Sequence, residues 1–356
     1  DLQQRVELLR LNARLLRDRL DDATRAIAEF GQLLALAPED IDGLREQAQL
    51  LQEHLRWSDA VGCLGTLIEV ADDAALRRWA RLQQAELLLR QLHEPRRARA
   101  VLEQSLGEQG NDDEARQLLV EAHLAEGSWE DARAILEQLA QSESGPDARR
   151  LRVWALDQLA ELARSGLRQQ ELFERSERLA LETAAPDKAL LEELVARFVD
   201  RGEAQRLRSV LARLVEGSTT ADAVMPLRLA LANLLLETFG DSNGALEQLR
   251  SALVVDPDDE DARLLTGRAL EARDEVEAAI RAYRSLLIDR LSCVDAARGL
   301  ARIMGARGHH PVVAMASSVL ELAGVASPSE YEHVDGFDRA GAPRGRLVVL
   351  DLPLLE

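Results

Sequence analysis

A repeat of about 34 residues runs through the chain from its first residue to near residue 324, and no other feature limits the available folds so strongly. Its most regular mark is a small or apolar residue at Ala26, Ala60, Ala98, Ala132, Leu172, Leu207, Ala245, Ala279 and Val313. The steps between them are 34, 38, 34, 40, 35, 38, 34 and 34. Four units extend the mark into a face: Ala26, Phe30, Leu33 and Pro38; Ala60, Leu64 and Leu67; Ala245, Leu249, Ala252 and Pro257; Ala279, Tyr283 and Leu286. Spacings of four and then three place these side chains along one side of a helix. A unit this short cannot bury its apolar side alone, so it must stack on its neighbours in a one-dimensional array.

Turn signals divide each unit into two helices. Gly127, Gly202, Gly240 and Gly308 each stand five residues before the small position, where a tight turn calls for a residue tolerant of positive φ. Pro38 and Pro257 close second helices, because proline cannot continue the hydrogen-bonded ladder. Trp57-Ser58-Asp59-Ala60 and Trp129-Glu130-Asp131-Ala132 open two second helices in nearly the same way. In these residues the chain resembles the tetratricopeptide repeat family over most of its length, as a segment of a larger bacterial multi-repeat protein. It departs from the family in the first helices, where Leu, Ala or polar residues replace the usual Trp, Gly and Tyr, with Gly267 the clearest family-like glycine. The pattern is most degenerate at residues 145–220, which leaves a related α-solenoid with longer helices in its middle as the alternative. The resemblance implies an all-α fold over residues 1–324, a right-handed solenoid or superhelix of about nine antiparallel helical hairpins.

Composition agrees. Hydrophobic residues make up 46% of the chain but aromatics only 3%, so the core is built of Leu and Ala, strong helix formers that pack closely. A β-rich protein would carry more aromatic and β-branched residues. With 63 carboxylates against 44 basic residues the net charge is −19, which opposes non-specific nucleic-acid binding. Lys188 is the only lysine. The arginine bias fits a GC-rich coding sequence, and it also suits bidentate carboxylate pairing. Cys63 and Cys293 lie in different repeats and read as small core residues. Two free thiols point to a reducing, cytoplasmic compartment. A periplasmic or envelope setting stays open, because Asp1 falls inside a first helix and the N-terminus reads as truncated. No apolar run is long enough to insert in a membrane.

Motifs that carry chemistry are missing: no glycine-rich phosphate loop, no Cys-x-x-Cys, no metal-binding His pair on one helix turn, no nucleophile elbow. The expectation is no catalytic, cofactor or metal residue. His309-His310 are adjacent and so point different ways, with no other ligand nearby in sequence. The acidic run Asp256 to Asp261 lacks the central Gly of a calcium loop and reads as a helix cap.

What remains is surface. The resemblance implies a concave face lined by the first helix of each hairpin, receiving a peptide or a partner helix. By periodicity its exposed polar positions are Arg45, Gln49 and Gln52, then Gln83 and Arg90, then Gln117 and Glu121, then Asp157, Glu161 and Arg164, then Glu192, and finally Arg268, Arg298 and Arg302. Rows of long polar side chains suit a peptide backbone or its carboxylates. The Lys and Asn that clamp chaperone tails in some family members are not at the matching positions. The expected function is a non-enzymatic protein-interaction scaffold, with two alternatives: the regulatory arm of a larger enzyme or effector, or a helical spacer in an envelope, secretion or motility assembly.

From residue 325 to residue 356 the periodicity stops. Pro328, Gly336, Gly341, Pro343 and Gly345 mark an irregular tail, and Arg346-Leu347-Val348-Val349-Leu350-Asp351-Leu352-Pro353 reads as a short strand or the entry to another element. Such a strand needs a partner, which a downstream domain, a second copy of the chain or the apolar flank of the last hairpin could each supply, so self-association through it or through a terminal hairpin stays open, as does a disordered linker.

Overall fold

The computed structural model describes residues 2–110, 112–141, 146–217, 221–289 and 293–308, with 313, 316, 317, 319, 320 and 325 beyond them. The expected tail strand and His309-His310 lie outside the described residues. The chain divides into two compact units, Asp1–Glu177 and Arg178–Glu356.

The first unit contains α1 (Leu2–Leu20), α2 (Ala23–Leu36), α3 (Ile41–Glu53), α4 (Trp57–Val70), α5 (Ala74–Arg90), α6 (Pro95–Gln109), α7 (Asp113–Glu126), α8 (Trp129–Ala140) and α9 (Pro146–Ser165). The division between units falls within α10 (Gln170–Ala184). The second unit continues with α11 (Lys188–Asp200), α12 (Ala204–Gly217), α13 (Ala221–Glu237), α14 (Ser242–Val255), α15 (Glu260–Ala272), α16 (Val276–Asp289) and α17 (Val294–Ala306). From α1 to α9, and again from α11 to α17, each helix packs on the next in sequence. The first helices of successive hairpins also touch, α5 on α7 and α11, α13, α15 and α17 in series. The fold is the all-α repeat solenoid expected from the sequence pattern.

Aspartate starts the helices. Asp22, Asp40, Asp73, Asp112, Asp187, Asp241 and Asp259 each accept a hydrogen bond from a backbone N–H in the first turn that follows, satisfying a donor that has no partner inside the helix. The acidic run is therefore a cap: Asp259 accepts from the Ala262 N–H at 2.7 Å, and Asp256 accepts from that of Asp258 at 3.0 Å.

A left-handed residue ends each first helix, and it gives a better register than the small residue does. Positive φ occurs at Asp21, Leu55, His93, Gly127, Arg168, Gly202, Gly240, Asp274 and Gly308, one per interhelical turn, with Gly110 the remaining described case. The steps between these positions are 34, 38, 34, 41, 34, 38, 34 and 34. Eight of them precede the expected small residue by five; Arg168 precedes Leu172 by four. The repeat position in that unit is therefore Phe173, which is buried, and not Leu172, which is half-buried. The departures from the basic step then become 4 and 7, one and two turns of α-helix. They fall in the lengthened first helices α5, α9 and α13, of 17, 20 and 17 residues against 13 in α3, α11, α15 and α17. Adding whole turns keeps the apolar stripe on its neighbours.

The core interlocks large with small. Ala26, Ala60, Ala98, Ala132, Leu207, Ala245 and Ala279 are buried, and so are the side chains four residues later, Phe30, Leu64, Leu102, Leu136, Leu211, Leu249 and Tyr283. Tyr283 shows why small residues are needed. It lies between Gly267 of α15 and Gly299 of α17, where an added Cβ would stand 2.5 Å from its Cε1 and 2.7 Å from its Cζ. Cys63 and Cys293 are free thiols; burial pushes Cys63 up to about 11, so it stays protonated as a small apolar residue.

Three substitutions test this packing. Gly299→Ala should lower the unfolding midpoint by the equivalent of about 1–3 kcal/mol, an overpacking cost, whereas Gly62→Ala, exposed in α4 with no atom within 4 Å of the added Cβ, should raise it by about 0.5–1 kcal/mol. Leu55, 70% exposed at φ 59°, should gain about 1 kcal/mol as Leu55→Gly, because the left-handed strain is relieved without loss of packing. Urea titration followed by circular dichroism measures all three.

Candidate functional site

The first helices present the candidate side chains, and ion pairs between hairpins set their environment. In the first unit Arg45 and Gln49 are exposed on α3 and Gln52 is half-buried. The Arg45 guanidinium stands 5.9 Å from the centroid of the Trp79 ring on α5, a cation–π contact between successive first helices. Gln83 and Gln117 are half-buried on α5 and α7. Arg90 pairs with Glu86 at 2.5 Å and reaches Glu121 on α7 at 3.4 Å, so two of the candidates meet. Glu161 and Arg164 pair on α9 at 2.6 Å. Asp157 corrects the expectation: it is buried, because its turn of the long helix α9 faces inward.

In the second unit Arg268 lies 3.8 Å from Glu237 of α13 and 3.4 Å from Asp295 of α17. Arg302 holds Glu271 of α15 through two hydrogen bonds of 2.7 Å, and the Tyr283 hydroxyl donates to the same carboxylate at 3.1 Å. Arg298 is exposed and donates to the Val325 carbonyl at 2.9 Å. Arg268 and Arg302, like Arg90, are thus paired with carboxylates of adjacent hairpins.

The same device recurs away from the candidates. Arg14 and Arg17 of α1 both hold Glu46 of α3, and Arg10 holds Asp40. Arg78 of α5 forks onto Asp112 at 2.6 and 2.8 Å, and within its own hairpin the buried Arg81 forks onto Glu108 of α6 at 2.6 Å through each terminal nitrogen. Asp112 caps α7 as well; burial is the strongest influence and works to raise its pKa, but the Arg78 hydrogen bonds and charge, together with the backbone N–H groups of Ala115 and Glu114, outweigh it and the carboxyl stays below the usual range.

Two surfaces escaped the sequence reading. Leu8, Leu11 and Leu15 are 66%, 56% and 54% exposed on α1, and they stand one repeat length before Asp42, Arg45 and Gln49, so they occupy the equivalent positions of the first hairpin. Stepping back by one repeat from each candidate would have found them. In the second unit a groove of about 770 Å³ opens along α11, α13 and the starts of α15 and α17. Val195, Val199, Met225, Leu229 and Leu264 are its half-buried apolar wall, and Glu192 and Arg268 are the two candidates it brings together. Lys188, at the first position of α11, reaches past α13 to Asp261 of α15 at 2.6 Å. Burial works against its charge, but the hydrogen bond to Asp261 and the fields of Asp261, Glu192 and Asp259 hold it above the usual lysine value.

Among the described residues no group of three or more His, Cys, Asp or Glu could hold a metal ion, and no helix is long and apolar enough to cross a membrane.

The Arg302 pair has a pH signature. Burial works to raise the Glu271 pKa, but the Arg302 hydrogen bonds and charge, with the Tyr283 hydroxyl, leave it lowered. Stability from this pair is full above the ordinary glutamate value of 4.5 and is lost as pH falls through the lower folded value. Arg302→Gln should therefore lower the thermal midpoint at neutral pH, and the gap to the wild-type chain should narrow progressively as pH falls below the ordinary glutamate value of 4.5.

Comparison with known proteins matches two segments, residues 89–154 and 229–292, to profiles described as Tetratricopeptide repeat. No curated protein matches the chain. Solved structures similar to it include Naa15/Naa10 bound to HypK-THB (12% identity over 88% of this chain and 62% of that one, TM-score 0.35). A monomeric mutant of IFIT1 with Gppp-AAAA has 14% identity over 85% of this chain and 75% of that one, TM-score 0.38. A tetratricopeptide repeat protein from Parabacteroides merdae ATCC 43184 has 15% identity over 75% of this chain and 99% of that one, TM-score 0.41. The chain spans 62% of the first of these proteins.

Proposed function

Because the chain is a tetratricopeptide repeat protein, we propose that it is a non-enzymatic scaffold that holds a peptide or partner helix against the first helices of its hairpins. One observation carries the reading: first helices adjoin in series, and in the second unit their row opens into a groove with an apolar wall and charged edges. Apolar contact with a few placed polar groups is what recognition of a peptide or helix requires. Arg90, Arg268 and Arg302 take part as bridges between hairpins, so they contribute to the spacing of the row as well as to its polar face. Net charge of −19 favours a protein ligand over nucleic acid.

The test is capture from the source cell's lysate with the full chain as bait, beside Arg45→Ala with Gln49→Ala and, separately, Val195→Asp with Leu229→Asp. A partner held stoichiometrically by the wild-type chain and lost from one of the variants is the expected result. Retention equal on all three baits removes the first-helix row as the binding surface.

A further inference from the structure

The groove of the second unit also specifies the charge of its occupant. Its edge carries Glu192, Asp200, Glu237, Asp259, Asp261 and Asp295 against only Lys188 and Arg268, an excess of four negative charges over an apolar wall. Three of those carboxylates have a local structural reason: Asp259 caps α15, and Asp261 and Asp295 lie in first turns, where the positive end of the helix dipole favours them. Asp200 and Glu237 have the opposite setting. They are the last residues of α11 and α13, where the free carbonyls already present negative partial charge and a cation would be the stabilising choice. The chain's own cations show what the edge attracts: Lys188 sits on Asp261, and Arg268 lies between Glu237 and Asp295.

We propose that this groove binds a cationic amphipathic helix, its apolar face against Val195, Met225 and Leu229 and its Lys or Arg side chains at the C-terminal ends of α11 and α13. The assignment rests on the scaffold reading above and adds a charge preference to it, where the rows of long polar side chains in the sequence suit a peptide backbone or its carboxylates. With low-dielectric walls on either side, the excess negative charge acts on an incoming cation more strongly than it would on an open surface. Charge complementarity of this kind sets selectivity and its salt dependence, while apolar burial supplies the holding energy.

The experiment is fluorescence anisotropy with the full chain and two labelled helical peptides of about 16 residues, sharing one Leu/Ala face and bearing either Lys or Glu on the other. At about 50 mM salt the Lys peptide should bind at least roughly tenfold more tightly than the Glu peptide, with most of that difference gone at about 500 mM. Asp200→Asn with Glu237→Gln should weaken the Lys peptide about tenfold and, by relieving like-charge repulsion, tighten the Glu peptide, at an unaltered helical circular dichroism spectrum. Leu229→Asp should weaken the Glu peptide, which depends on the apolar wall alone. Equal affinity for the two peptides, with both lost on Leu229→Asp, keeps the groove as a docking site and overturns its charge preference. Binding of neither peptide, when lysate capture finds a partner lost from Val195→Asp with Leu229→Asp, also overturns the charge assignment alone; binding of neither with no capture overturns the scaffold as well. Displacement of the Lys peptide by a synthetic peptide of residues 337–350, which contain Arg339, Arg344 and Arg346, would give the groove to the chain's own segment and overturn a separate partner.

Discussion

The structure depends on a bulky side chain of each second helix entering the space left by small residues on the first helices beside it. Tyr283 between Gly267 and Gly299 is the clearest instance, since neither glycine has room for a methyl group. Dispersion and apolar burial reward such an arrangement only at close approach, so the small residue is as necessary as the large one. The contact is local to one hairpin and its neighbours. It therefore fixes the distance from each first helix to the next, and with it the spacing of every side chain on the face those helices share.

That dependence explains both the tolerance and the limit of the array. Inserting one or two whole turns into α5, α9 or α13 lengthens a first helix without rotating its stripe away from its seat. Replacing the large residue itself has another effect. In the unit opened by Arg168 the equivalent position is Glu177, a buried carboxylate where the other units place Phe, Leu or Tyr. A charged group there does not supply the apolar contact that the bulky residue supplies in its own hairpin elsewhere.

The fold was readable in the sequence because its information is local: a spacing of four and three, a turn residue five positions earlier, a proline after the helix. The error at Leu172 arose where a two-turn insertion met a unit whose small position is Phe173, so composition gave no mark and only backbone conformation did. The candidate surface was less readable. Periodicity within one helix finds the face that Arg90, Arg268 and Arg302 share, but their carboxylate partners lie on neighbouring hairpins, up to 31 residues away in sequence. Lys188 and Asp261, 73 residues apart, are further still beyond any local pattern. Asp157 was misplaced for another reason: an aspartate reads as exposed from its residue type, and its burial on α9 is set by the packing around that helix.

The ion pairs and the groove are consequences of one charge balance. With 63 carboxylates and 44 basic residues, the chain can bridge its hairpins with arginines such as Arg14, Arg78, Arg90, Arg268 and Arg302 and still retain a surplus of negative charge. Scattered over an exposed surface that surplus would be screened within a Debye length and would select nothing. At the ends of α11 and α13 it lies beside an apolar wall and against the dipoles of the helices that carry it. The helix dipoles disfavour Asp200 and Glu237 there, and at Glu237 the Arg268 bridge works against that cost. A placement that the fold does not reward is one that a ligand can, and a cation carried on an apolar face would relieve the repulsion and fill the groove in the same event.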